Sequence, residues 1–350
     1  MIRLLSVHYT FLLLAVLSAI AQDGPVYKQP EGGVPVLTGF VGIGTTFQPD
    51  QQQVSPVISP IVLIPFGEKW LVESELELEG NYTHVSNQPW DHEWGKGVEY
   101  AQIDYLANRY VTVVGGRFLT PFGIFNERLH SGWIRNVQTA PYITGIEMSD
   151  STGGMVRGAI PVGSFFNINY AGFFSAAVNN TWVGSTRAVG QRVGFFFPKA
   201  RLEIGTSIQR QLQDEHINTY GADITWQSNR VPLDVRGEYA RNGTAGSGYW
   251  LEGAYRMRKV PFWKPLMQKS QAEVRFEQFF APSVMNDSAG DMSLPDSNAK
   301  RIFVGWSYWL RPDVRANFAY GREFIDSGDH NVWTVGLTYR FAFPLMGGRK

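Results

Sequence analysis

The segment WLVESELELE, residues 70–79, carries two patterns at once. Trp70, Val72, Ser74, Leu76 and Leu78 take alternate positions, and Leu71, Glu73, Glu75, Glu77 and Glu79 fill the gaps. Successive side chains of a strand point to opposite faces, so this strand has one apolar face and one acidic face. Same-face neighbours sit about 7 Å apart. Unit charges at that spacing repel by about 0.6 kcal/mol in water and about 2.4 kcal/mol at an effective dielectric constant of 20. The Glu73, Glu75, Glu77, Glu79 column therefore needs water or cations, and it does not suit lipid.

The alternation recurs along the chain. Tyr220, Ala222, Ile224 and Trp226 alternate with polar residues, as do Ala272, Val274 and Phe276, and Trp333, Val335, Leu337, Tyr339 and Phe341. Sixteen segments qualify: 36–47, 57–65, 69–82, 97–107, 109–120, 152–161, 164–175, 187–197, 200–212, 217–228, 231–242, 248–258, 270–281, 299–310, 313–324 and 331–343. Most approach the ~9–11 residues that a tilted strand needs to cross a bilayer. Globular strands are shorter, about 5–6 residues.

The connections alternate too. Tight ones fall at 65–68, 106–109, 161–164, 198–200, 228–232 and 311–313, with one longer member, KVPFWKPLMQK, at 259–269. Longer ones fall at 48–56, 83–96, 121–151, 176–186, 213–216, 243–247, 282–298 and 325–330. Short turns at one end and long loops at the other build an outer-membrane barrel. The expectation is an all-β fold: a transmembrane, antiparallel, up-and-down β-barrel over 36–343 with 16 strands, 14 and 18 being the alternatives. A soluble sandwich would not need so many long strands with charged outer faces, and no repeat near 40 residues suggests a propeller.

Composition agrees. Basic and acidic residues balance at 31 each, so nothing marks a nucleic-acid binder. No cysteine is present, which excludes disulfides and thiolate metal sites. No cofactor or metal is expected. Aromatics reach 14%. At the N-terminus, Arg3, an apolar run from Phe11 to Leu17, and Ala19-Ile20-Ala21 make a signal peptide over 1–21, cleaved after Ala21. That run is short for a membrane-spanning helix, which needs about 20 residues. Residues 22–35 are then a periplasmic lead and 344–350 a short tail. Such a chain resides in the outer membrane of a Gram-negative bacterium, among lipid and lipopolysaccharide.

A polar face on every strand implies an aqueous lumen, since 16 strands enclose a channel. Arg236, Arg256, Arg275, Arg301, Arg315 and Arg340 are its expected basic residues. The longest connection, 121–151, opens within GGRFLTPFGIFNERLHSGWIR, residues 115–135. Its Phe122, Ile124, Phe125, Leu129, Trp133, Ile134, Val137 and Tyr142 require burial, so the loop is expected to fold inward, either into the barrel or across its mouth.

Here a resemblance becomes specific. GRFLTPFGIFNERL is similar to the matching segment of the phosphate-selective porin O/P-like family, and the architecture resembles the general 16-stranded porins. Phe122 stands where the general porins' Pro-Glu-Phe-Gly-Gly motif has its Glu. The resemblance implies a passive channel for small hydrophilic solutes or ions, not an enzyme, commonly a homotrimer. It implies a constriction formed by the third loop, with Glu127, Arg128, His130 and Arg135 at the eyelet and Arg117 on the adjacent wall. Phosphate-selective members use a basic path. This chain is neutral with an acidic column, so that selectivity is not carried over. The run from Thr334 to Phe341 resembles the signal read by the barrel-assembly machinery, with Gly336, Tyr339 and Phe341 at its marked positions.

Two other functions are compatible with a barrel. An outer-membrane protease or phospholipase would use loop histidines among His84, His92, His130, His216 and His330, with Asp91-His92-Glu93 the one tight cluster. A substrate-specific channel or surface receptor would use Trp90, Trp94 and Trp182.

Overall fold

The computed structural model describes residues 33–180, 182–213, 216–282, 294–326 and 328–345. The expected signal peptide lies outside them, as do residues 22–32 of the lead and 346–350 of the tail. Among the described residues sixteen strands form one closed antiparallel barrel. They are β1 (Val36–Phe47), β2 (Gln51–Phe66), β3 (Trp70–Val85), β4 (Asp91–Asn108), β5 (Val111–Leu119), β6 (Asp150–Val162), β7 (Phe166–Ser175) and β8 (Ala188–Phe197). There follow β9 (Leu202–Gln211), β10 (Asn218–Gln227), β11 (Leu233–Asn242), β12 (Gly246–Arg256), β13 (Ser270–Phe280), β14 (Ala299–Arg311), β15 (Val314–Ile325) and β16 (Gly328–Pro344). Each strand pairs with its sequence neighbour. β1 closes on β16 from Val36↔Pro344 to Phe47↔Trp333, so the barrel has no open seam. Both ends of the barrel chain lie at the short-turn end.

The faces follow the alternation. Ile43, Ile103, Val156, Leu251, Val304 and Leu337 stand exposed on the outer wall. An apolar belt of this extent is what a lipid-facing surface requires. The carboxylates and arginines of the same strands turn inward.

Two expected loops are instead strand. Residues 48–56 and 83–96 were to be loops, yet β2 starts at Gln51, β3 runs to Val85 and β4 starts at Asp91. This upper hairpin is polar on its inner face: Gln53 Nε2 and Ser55 Oγ each donate to Asn81 Oδ1 at 2.8 Å. Pro56 and Pro60 lack N–H donors, but the β2–β3 register resumes around them, with Val54↔Tyr82, Val57↔Glu79 and Ile61↔Glu75. A strand past the apolar belt needs no alternation, so the sequence hides it. Asp91-His92-Glu93 thus lies on strand; His92 stacks on Tyr82 with ring centroids 6.0 Å apart.

Candidate constriction inside the barrel

Residues 120–149 leave the wall after β5 and fold into the lumen. The neck is a clasp. Thr120 N–H donates to Ser149 O at 3.1 Å, and Asn126 Nδ2 donates to Thr120 O at 2.9 Å. Phe122 N–H turns back to Thr120 O at 2.8 Å. Gly123 then adopts φ +57°. A Cβ there would lie 1.7 Å from Glu238 Oε1, so only glycine fits. The tight approach has a purpose: Glu238 Oε2 accepts the N–H groups of Ile124 at 3.1 Å and Phe125 at 3.0 Å. It thereby satisfies donors at the start of the short helix Phe125–Arg128, where a negative charge is favoured. On the wall, Gly221 leaves room for Phe122; a Cβ would sit 2.6 Å from its ring.

The loop's apolar side chains make the largest dry cluster among the described residues. Phe122, Ile124, Phe125, Leu129, Tyr142, Ile143 and Ile146 pack on Ala240, Trp250, Phe279 and Ala299 of β11–β14. Phe125 meets Trp250 edge to face at 6.3 Å.

Polar contacts fasten the rest of the loop. Arg128 pairs with Glu203 at 2.7 and 2.9 Å. Arg192 joins Glu203 at 3.0 Å to Asp223 at 2.6 Å. Asn136 Nδ2 donates to Glu252 at 2.7 Å, which also accepts from Arg236 at 2.9 Å. Arg275 pairs with Glu277 at 2.7 Å and donates to Thr139 Oγ1 at 2.7 Å. Arg301 donates to Ala140 O, and Arg315 to Gly132 O, each at 3.0 Å. Glu277 also accepts the Tyr142 N–H at 3.0 Å, while the Tyr142 hydroxyl bonds Glu323.

These contacts change the part played by several expected lumen cations. Arg275 is 1% exposed and its partner Glu277 0%. They do not line open water; with Arg301 and Arg315 they grip the loop. Arg256 bonds Gln271 at 3.2 Å and lies over Trp309, and Arg340 lies over the loop's Trp133 at 5.2 Å. Arg135 is a brace within the loop: its Nε donates to Leu129 O at 3.0 Å and its Nη2 to His130 O. Burial lowers its guanidinium below the usual range.

The opposite side of the lumen stays partly solvated. There Arg157 of β6 meets Asp104 at 2.5 Å, Glu127 at 3.4 Å and Glu73 at 3.6 Å. His130 Nε2 lies 3.2 Å from Glu99 Oε2. Burial pushes the His130 imidazole down, but the Glu99 and Glu75 carboxylates outweigh it and leave it above its ordinary value. Glu77 and Glu79 are half-buried on the same wall. So Glu73, Glu75, Glu77 and Glu79 of β3 and the loop's Glu127 and His130 share this side of the lumen.

Arg117 does not. It pairs in register with Ala101 and Thr152 and shares a face with Val113, opposite Val156. Val113 and Val156 are on the exposed outer wall, so Arg117 faces outward. The inner face at this height is taken by Val114, Phe118, Met155, Phe173 and Ala188. Arg117 bonds Asp150 at 2.8 Å, Val98 O at 2.5 Å and Gly184 O at 2.8 Å. It ties β4, β6 and Gly184 together across the gap where β5 stops.

Sequence reasoning missed Arg157 and Glu99. Val156 and Ile160 on one face imply Arg157 on the other, a signal obscured by inward Met155. Glu99 falls within the β3–β4 register shift beside Glu75, where alternation breaks. In β16, Gly336 faces the lumen, while Tyr339, Phe341 and Phe343 make an outer aromatic row with spacings of 6.5 and 5.8 Å. The strand runs on to Pro344.

The chain matches no protein-family model and no curated protein sequence. Its fold is similar to solved outer-membrane barrels. The trimer form of OmpT, an outer membrane protein of Vibrio cholerae, is 10% identical with a TM-score of 0.55, over 89% of this chain and 100% of that one. OprB of Pseudomonas putida is 8% identical with a TM-score of 0.56, over 89% and 93%. The outer membrane channel DcaP of Acinetobacter baumannii is 10% identical with a TM-score of 0.52, over 87% and 97%. At these identities the likeness shows the fold alone, a closed antiparallel β-barrel of the outer-membrane kind.

Proposed function

We propose that the protein is an outer-membrane porin that passes small hydrophilic solutes or ions, with cations preferred. One observation carries this. The 120–149 loop closes the β9–β14 side of the lumen and leaves its solvated margin against the acidic wall of β3 and β4. Along that margin stand the half-buried Glu73, Glu77, Glu79, Glu99 and Glu127, with Glu75 and Asp104 buried behind them. Arg157, His130 and Arg135 oppose them, and Arg157 is spent on three of the carboxylates. A ring or row of carboxylates favours cations by direct electrostatics. The channel named for the Acinetobacter neighbour supports the reading. Kinship with the phosphate-selective branch rests on the segment near residue 120 alone and is not extended to its solute.

In this reading the short-turn end faces the periplasm. The protomers assemble as a homotrimer, a state named for the Vibrio neighbour. Lipid and lipopolysaccharide surround the apolar belt, and Gly336, Tyr339 and Phe341 address the barrel-assembly machinery. Purified protein in planar bilayers should give stepwise, roughly ohmic current. A folded protein that inserts and passes no current would overturn the proposal.

A further inference from the structure

The one long turn at the short-turn end, 257–269, is unexplained by a channel. It has an apolar crest and a basic rim. Trp263 is 72% exposed and Phe262 60%, with their rings edge to face at 6.2 Å. Leu266 and, on the neighbouring turn, Val231 are exposed beside them. Arg258, Lys259, Lys264, Lys269 and Arg230 are all exposed around this crest. No Asp or Glu occurs from 253 to 272.

The turn is ordered rather than loose. Lys259 Nζ donates to Arg230 O at 2.8 Å, joining the two turns. The helix Lys264–Met267 is held by Ser270 Oγ, which donates to Leu266 O at 2.8 Å. Trp263 sits at φ +46°, a left-handed conformation that disfavours a bulky side chain. Such outliers persist only where the surroundings impose them.

Its direction follows from Ser270. This residue shares the outer face of β13 with Val274, which is exposed, yet Ser270 is 2% exposed. The turn's helix covers it. The turn thus folds outward over the rim of the apolar belt, not across the lumen mouth.

We infer that the 257–269 turn, with Arg230 and Val231, is a docking surface for anionic phospholipid headgroups of the inner leaflet. Trp and Phe settle at the headgroup level, and the basic rim draws the phosphates. An anionic partner is dictated by charge: the patch holds five cations and no acid in the intervening stretch. The inference rests on the membrane orientation proposed above.

The test uses the full folded protein in vesicles of phosphatidylethanolamine, with and without phosphatidylglycerol, either lipid brominated to quench tryptophan. The Trp263 signal is the difference between wild type and W263F. Brominated phosphatidylglycerol is expected to quench it more than brominated phosphatidylethanolamine. The preference should weaken by roughly fivefold for each charge removed in K259Q, K264Q, K269Q and R258Q. Equal quenching by both lipids would overturn the inference. So would no quenching by either, the result for a turn that meets water or an acidic periplasmic protein. Current recorded from the same vesicles separates the two ideas, because these variants lie far from the constriction and should conduct as wild type.

Discussion

Arg128 of the inward loop and Glu203 of β9 meet as a two-pronged pair, Nη1 to Oε2 at 2.9 Å and Nη2 to Oε1 at 2.7 Å. Parallel contacts of this kind fix orientation as well as distance. Glu203 keeps Arg192 if Arg128 is lost. R128M should therefore loosen the loop by about 1–3 kcal/mol rather than strand a bare charge. E203Q should act in the same direction. Both should raise single-channel conductance and flicker, and the double variant should add little to either. Fully additive effects would mean that the pair does not act as a unit.

The neck depends on Gly123. G123A meets Glu238 and also places a Cβ at φ +57°. The backbone alone costs about 1–2 kcal/mol, and the clash adds to it. The expected result is a loop displaced from Glu238 and a wider channel. G221A presses on Phe122 from the wall but carries no backbone strain, so its conductance change should be smaller. Equal effects would place the control in packing alone.

Loop docking should be pH-dependent. His130 titrates above its ordinary 6.5, because Glu99 and Glu75 outweigh its burial. Glu147 is held well above 4.5 by burial and by Glu238 and Asp223. Both groups bind protons more tightly in the docked loop than when released. The stabilisation is therefore complete below each ordinary value and is lost as pH rises through each raised one. Noise should grow from acid to alkaline pH. H130Q should remove the part that begins near 6.5, and E147Q the part that begins near 4.5. A loop that quietens with rising pH would reverse the assignment.

Arg275 is buried against Glu277 and Glu252, and it reaches the loop at Thr139. R275M leaves Glu277 with Arg301 and Glu252 with Arg236, and should destabilise the barrel by about 1–3 kcal/mol. Heat-dependent gel mobility of the folded protein would register it as a lower melting point. Unchanged melting with altered selectivity would show that Arg275 faces the permeation path instead.

Arg117 makes the contrasting case. R117A should free the chain around Gly184 from the outer wall and expose it to protease. Ion selectivity should stay as in wild type. A shift in selectivity would return Arg117 to the lumen.

The two faces of most strands were legible because lipid outside and water inside repeat the same rule at every second residue. The inward loop was legible because Phe122, Ile124 and Phe125 have no other place to bury. The rule failed where its premise failed. Beside the loop neck the inner face is dry, lined by Val114 and Phe118, so apolar no longer means outward and Arg117 was assigned to the wrong side. Above the apolar belt, Gln51 to Gln53 and Asp91 to Lys96 have no lipid to record, so strand was read as loop. The anchoring role of Arg275, Arg301 and Arg315 required knowing which loop carbonyls and hydroxyls they would meet, and no local pattern carries that.

The acidic wall opposite the loop is the centre of the account, and the reversal potential across a potassium chloride gradient tests it most directly. The wild type should settle at a potential of the sign set by potassium permeation, and E77Q/E79Q should move it toward zero. A wild-type potential at zero or of the chloride sign, or one unmoved by E77Q/E79Q, would contradict it.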